Sequence, residues 1–229
     1  MIQGSFKISN SSVPLSMYLG KENEFSQRRL SDIISAVENF QGPKKVLALI
    51  SAYMGEGCSE IAFDLAMALS SSGKRVLIVD SNPTDQGVFR EMRYTLPVSI
   101  NAAIQSASND TCAVLQISGS NVFYSSFCKN EEEQEIVQNP ERMTKVLSTL
   151  RDSFDFVIII AESNAGLPVA KAAQLSDASI IVIEAERTRR PVVAQIIDTI
   201  KSNSGKILGL VLNKRPLYIP PMIYALFYK

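Results

Sequence analysis

The chain has 229 residues, 46% of them apolar, and its 23 basic and 23 acidic side chains cancel. That is enough for one sizeable core and too balanced for a general electrostatic case for nucleic acid as a partner. With no histidine anywhere, Ser-His-Asp, Cys-His and histidine-metal chemistries are excluded. Cys58, Cys112 and Cys128 are widely spaced without a CxxC pair, so neither a disulfide framework nor a zinc site is indicated and a reducing cytoplasm fits best.

In chain order, residues 1–20 show neither a charged stretch followed by an apolar one nor a membrane-length run, and they read as a flexible lead-in. The main domain is expected over 21–216, with a separate closing segment over 217–229. An early helix over Glu24, Phe25, Ser26, Gln27, Arg28, Arg29 and Leu30 is expected to pack on that domain. Short apolar runs then recur at 46–51, 75–80, 121–125, 154–161, 179–185 and 207–213, separated by helix-length segments. Runs that are continuously apolar, not alternating, suit parallel strands covered on both faces. The expected fold is α/β, a doubly wound, mostly parallel sheet flanked by helices.

Between the first two runs, Ile61, Ala62, Leu65, Ala66, Ala68 and Leu69 recur at helical spacing, and Gly73 follows a serine run as a stop. Residues 130–138 are rich in glutamate and read as a solvated surface connection before a helix starting near Pro140. Arg189 and Arg190 read as a solvated helix start.

The first run leads into Ser51, Ala52, Tyr53, Met54, Gly55, Glu56, Gly57, Cys58, Ser59 and Glu60. Two glycines just before a helix let backbone amides turn inward, which makes an anion cradle. In a working phosphate loop the residue after the last glycine is a lysine that reaches the β- and γ-phosphates, and the next hydroxyl binds magnesium. Here those positions hold Cys58 and Ser59. A cysteine at a helix N-terminus can have a depressed pKa, so Cys58 has two readings, a small neutral filler or a redox-sensitive thiol.

This loop resembles the Ser-Ala-x-x-Gly-Glu-Gly-Lys-Ser-Thr loop of bacterial tyrosine kinases (BY-kinases) and exopolysaccharide-associated P-loop ATPases, within the MinD/ParA-like class. Gly73, Lys74, Arg75, Val76, Leu77, Ile78, Val79 and Asp80 resemble the family's second strand, so Asp80 carries over as its magnesium-shell aspartate. Asn82 stands where a second aspartate is usual. The family's Walker B aspartate would fall at Ile160 or Ala161, and Glu162 is the nearest stand-in because alternate strand residues share a face. The strand ends at 184–189 and 209–214 also match in order, and the resemblance places Asn213 near an adenine base. The MinD-type lysine before the glycines corresponds to Tyr53, which weakens that branch.

What the resemblance implies is a P-loop NTPase fold with a degenerate site. The nucleotide-binding candidates are Gly55, Glu56, Gly57, Cys58, Ser59, Glu60 and Asn213, the metal candidates Ser59, Asp80 and Glu162, and no catalytic residue is assigned. ATP or ADP with magnesium is expected only if the residual cradle still binds. Active relatives oligomerise through a Glu-x-x-Arg-x-x-Arg helix; Arg28 and Arg29 do not keep that spacing, so a kinase-like ring is not implied, while a homo-oligomer stays open. The closing segment has Tyr218, Tyr224 and Tyr228 but is too apolar for a solvated phosphate-accepting tail. It resembles the Tyr-Ile-Pro-x-x-x-Tyr ending of exopolysaccharide-associated relatives. The expected role of Tyr218, Ile223, Tyr224 and Phe227 is docking on a membrane protein partner, with simple packing on the chain's own domain as the other reading. The expected function is a pseudokinase or pseudo-ATPase that regulates or scaffolds exopolysaccharide or capsule synthesis and export beside an inner-membrane copolymerase or export protein, at the membrane periphery on the cytoplasmic side. The alternative is an active ATPase or protein-tyrosine kinase with an unusual magnesium site.

Overall fold

The computed structural model describes residues 7–13, 24–40, 45–81, 99–100, 102–103, 112–127, 139–162 and 168–214. The strands are β1 (Lys7–Val13), β2 (Lys45–Ser51), β3 (Val76–Asp80), β4 (Cys112–Ile117), β5 (Val122–Ser126), β6 (Phe156–Glu162), β7 (Ala178–Glu184) and β8 (Ile207–Asn213). The helices are α1 (Glu24–Asn39), α2 (Cys58–Ser71), α3 (Pro140–Ser153), α4 (Val169–Leu175) and α5 (Arg190–Ser202). All eight strands form one sheet in the order β1-β4-β5-β3-β6-β2-β7-β8.

The expected α/β architecture is present. β2, β3 and β6 are buried along their whole length, as continuously apolar strands covered on both faces should be. Val46, Ala48 and Ile50 of β2 face a core formed with Met143 and Leu150 of α3, Ala172 of α4, and Ile196 and Ile200 of α5. The intervening Leu47 and Leu49 face a second core with Val37 of α1 and Ala62, Leu65 and Leu69 of α2. The two cores lie on opposite faces because successive strand residues alternate.

Helix ends follow local chemistry. Asn139 caps α3 by accepting from the amides of Glu141 (3.1 Å) and Arg142 (3.2 Å), with Pro140 at the first helical position. α2 stops at Gly73, whose φ of +78° lets Lys74 donate back to the Leu69 carbonyl. Lys45 donates to the carbonyls of Val37 (2.7 Å) and Glu38 (3.3 Å), closing the C-terminus of α1. Burial pushes its ammonium pKa down, against the opposing pull of Glu38.

Two strands depart from the expectation. Lys7–Val13 lies inside the stretch read as a flexible lead-in, yet forms β1 and pairs in parallel with β4. It has only Ile8 and Val13 as apolar side chains, so no apolar run marks it; backbone pairing at a sheet edge places it. β4 pairs antiparallel with β5, because a connection of four residues is too short for the crossover that parallel strands need. Arg190 opens α5 and is exposed, as is Arg189 at its cap, which fits the solvated helix start. The acidic stretch 130–138, Asn82 and the closing segment 217–229 lie outside the described residues. No helix among the described residues is long and apolar enough to cross a membrane.

Candidate functional site

β2 lies between β6 and β7, and the loop that leaves its carboxyl end enters α2 at Cys58. Gly55 and Gly57 have φ of +80° and +88°, the left-handed region that only glycine enters at little cost. Around Gly55 there is open space, but a Cβ at Gly57 would stand 2.1 Å from Nδ2 of Asn213. Position 57 therefore needs glycine for two independent reasons, backbone conformation and close approach.

The loop is held from outside by three side chains of the β7 and β8 ends. Arg187 donates to the Met54 carbonyl at 3.3 Å, Lys214 donates to the Gly55 carbonyl, and Asn213 donates to the Glu56 carbonyl at 2.9 Å. Three consecutive carbonyls are thus turned towards β7 and β8. Glu184 orients two of these donors, with Oε2 at 2.9 Å from Arg187 and 3.7 Å from Lys214. The hydrogen bond from Arg187 comes first among the causes that hold the Glu184 carboxyl below its usual range, and the same bond raises the Arg187 pKa. The Arg187 guanidinium also lies 5.5 Å from the centre of the Tyr53 ring, so Tyr53 packs the loop.

From inside, Glu56 braces the same loop. It is fully buried, its Oε2 accepts from the amides of Ala52 (2.7 Å) and Tyr53 (3.1 Å), and Thr188 donates its hydroxyl to Oε1. Glu56, a candidate for nucleotide contact, spends its carboxylate on the loop's own backbone and on Thr188. Ser59 is half-buried in the first turn of α2, and Glu60 beside it is exposed.

Cys58 is fully buried, with its thiol pKa pushed well above the ordinary value, first by burial and then by the negative charges of Glu162 and Asp80. A hydrogen bond with Ser51 opposes this and does not overcome it. Of the two readings of Cys58, burial and the raised pKa favour the neutral filler: the helix N-terminus is outweighed by desolvation and two neighbouring carboxylates.

Asp80 ends β3, is buried, and accepts from the Tyr124 hydroxyl at 3.0 Å. It pairs in register with Ile160, so Glu162 lies two residues further along β6, opposite Ser51. Ile160 and Ala161, where the resemblance would put an aspartate, are buried core side chains. The negative charges of Asp80 and Glu162, two of the metal candidates, both help to raise the pKa of the Cys58 thiol. Tyr218, Ile223, Tyr224 and Phe227 lie outside the described residues.

Sheet order separates the charges. β3 and β6, which carry Asp80 and Glu162, lie on one side of β2; β7 and β8, which lead to Arg187 and Lys214, lie on the other. The cations hold the loop's carbonyls, while the position of the missing lysine is flanked by carboxylates. Among the described residues no group of three or more Cys, Asp and Glu side chains is placed to hold a metal ion. The loop has the two positive-φ glycines of a phosphate turn, but Cys58 offers no ammonium to a γ-phosphate and lies near the carboxylates of Glu162 and Asp80.

Sequence reasoning missed Thr188, Arg187, Lys214 and Tyr124 as parts of this site. The segment 184–189 was notable only as a strand end, and nothing local links Thr188 to a glutamate 132 positions away.

Comparison with known proteins bears on the family and the fold. A family model described as an AAA domain matches residues 44–208. The succinoglycan biosynthesis transport protein ExoP of Rhizobium meliloti (strain 1021) is 28% identical over 182 residues, which are 74% of this chain but only 22% of that protein. The tyrosine-protein kinase CpsD of Streptococcus agalactiae serotype III (strain NEM316) is 25% identical over 208 residues, covering 84% of this chain and 82% of that one. The crystal structure of the chimerical protein CapA2B2 superposes with a TM-score of 0.70 at 20% identity, over 95% of both chains. That likeness shows the fold.

Proposed function

Because the chain belongs to the AAA-domain family of P-loop proteins, we propose that it is a pseudokinase, related to bacterial tyrosine kinases and exopolysaccharide proteins, that has given up phosphoryl transfer. It regulates or scaffolds exopolysaccharide or capsule synthesis and export beside a membrane copolymerase, and is held at the inner face of the membrane through that partner. The observation that carries this reading is Cys58: a buried, neutral thiol flanked by Glu162 and Asp80 where transfer needs an ammonium. The similarity to ExoP, a succinoglycan biosynthesis transport protein, supports the pathway, and that to CpsD, a tyrosine-protein kinase, supports the kinase relationship. In this reading Tyr218, Ile223, Tyr224 and Phe227 form the partner-docking element.

ATP turnover by the purified full chain with magnesium tests it. Turnover should equal background; a steady rate that Asp80→Ala abolishes would overturn the reading. One observation favours a second reading, an active ATPase or protein-tyrosine kinase using Ser59, Asp80 and Glu162 around magnesium: both carboxylates act on the same thiol at the loop. The same assay decides between the two.

A further inference from the structure

The loop between β2 and α2 holds Gly55 and Gly57 in the left-handed region, and glycine gives up more backbone freedom on ordering than any other residue. Such a loop needs contacts to fix it, and in phosphate-binding loops the anion is one of them. Here the contacts come from the opposite side. Arg187, Lys214 and Asn213 donate to the carbonyls of Met54, Gly55 and Glu56, and across a planar trans peptide each carbonyl points opposite to the next residue's N–H. Holding those carbonyls at the β7–β8 rim therefore turns the amides of Gly55, Glu56 and Gly57 away from it, with no anion taking part.

The rim is itself braced for this. Ala185 donates its amide to the Asn213 carbonyl at 2.9 Å, which ties the end of β7 to the end of β8. The turn over 184–188 is closed by the Thr188 amide on the Glu184 carbonyl at 3.1 Å, and the Thr188 hydroxyl accepts from the Glu184 amide at 3.1 Å while donating to Glu56. Glu186 in that turn and Lys214 after β8 have φ of +66° and +52°. A left-handed conformation in a residue other than glycine is costly and persists only where surrounding contacts offset it. Both such residues flank the donors that reach the loop, and Lys214 is one of those donors.

We propose that Arg187, Asn213 and Lys214 do for this loop what a bound phosphate does in a working one: they fix it before any ligand arrives, so the loop is not a nucleotide-operated switch. This goes beyond the proposed function and does not depend on it. Steady ATP turnover would overturn the pseudokinase reading and leave the ligand-free order of the loop as it is.

Hydrogen exchange on the full chain without nucleotide tests the inference, read at the amides of Ala52 and Tyr53 that bond to Glu56. Both should exchange at least about tenfold more slowly than unstructured chain. Arg187→Met combined with Lys214→Met keeps the apolar stems and removes the donors, and should speed both amides at least about threefold while β2 and β6 exchange as before. Should that variant fail to fold, Lys214→Met alone, at a side chain that is 44% exposed, should move the same amides in the same direction. Lys214→Arg keeps a donor and should retain the protection. Wild-type amides exchanging at unstructured rates, or protection that appears only with millimolar ADP and magnesium, would overturn the proposal. So would an unaltered loop in the methionine variants, or a loss in Lys214→Arg as large as that in Lys214→Met.

Discussion

The side-chain amide of Asn213 donates to the Glu56 carbonyl at 2.9 Å and leaves no room for a Cβ on Gly57, so the end of the last strand and the phosphate loop are packed as one unit. Gly57→Ala should therefore lose the conformational cost of a left-handed alanine, about 1–2 kcal/mol, plus a steric cost from Asn213. In an Asn213→Ala background the steric part disappears and the loss should be smaller. A denaturation cycle over the four proteins measures this coupling; equal losses in both backgrounds would show that the two residues do not meet.

Glu56 satisfies two backbone amides and the Thr188 hydroxyl from a fully buried position. Glu56→Ala orphans the Ala52 and Tyr53 amides and should cost at least about 1.5–3 kcal/mol, the usual worth of a hydrogen bond to a charged group. That would lower the melting midpoint by about 2–4 °C per kcal/mol for a chain of this size. Thr188→Val should cost less, since the two amides keep their acceptor. Calorimetric melting of both variants checks the order, and a Thr188→Val loss larger than that of Glu56→Ala would contradict it.

Cys58 supplies a pH signature. Its folded pKa lies well above the ordinary value, whereas in the unfolded chain the thiol ionises near about 8.5. Ionisation then favours the unfolded state. The stability tied to the protonated thiol is fully present below about pH 8.5 and is lost as pH rises from there towards the folded pKa. Unfolding free energies between neutral and alkaline pH should fall more steeply for the wild type than for Cys58→Ala. Thiol labelling at pH 8 with peptide mapping should leave Cys58 unmodified until denaturant is added; rapid native labelling of Cys58 would show that the thiol is neither buried nor neutral.

Restoring the cation tests what remains of the cradle. Cys58→Lys places an ammonium beside Glu162 and Asp80 and within reach of a nucleotide's phosphates. A charge-assisted bond of about 1.5–3 kcal/mol corresponds to roughly 10- to 100-fold tighter nucleotide binding. Titration calorimetry with ADP and ATP on the folded variant measures it. A folded Cys58→Lys protein with unchanged affinity would show that the loop's concave side is not shaped for phosphate.

Most of the sheet was legible because its inner strands are buried on both faces and so appear as unbroken apolar runs; β8 was found with its observed bounds and β2, β3, β5, β6 and β7 within a few residues. β1 was not legible, since Lys7–Val13 carries two apolar side chains and owes its place to pairing with β4, a strand about a hundred residues away in the chain. The substitution of Cys58 for the loop lysine is a sequence fact, and so are the glycines that shape the turn. The state of the thiol was not: a helix N-terminus argues for a lowered pKa, and only the pairing of β6 with β2, and of β3 with β6, brings Glu162 and Asp80 close enough to reverse it.

By itself, then, the sequence determined the layered α/β fold and the loss of the loop's cation, because strand burial and the residue after the second glycine are local properties. The tertiary structure decided how the loop is held without that cation. Asn213 and Lys214 lie 157 and 159 positions from the carbonyls they bind. Such partners meet only because parallel pairing lays β2, β7 and β8 side by side with their carboxyl ends at one rim of the sheet, which no spacing along the chain encodes.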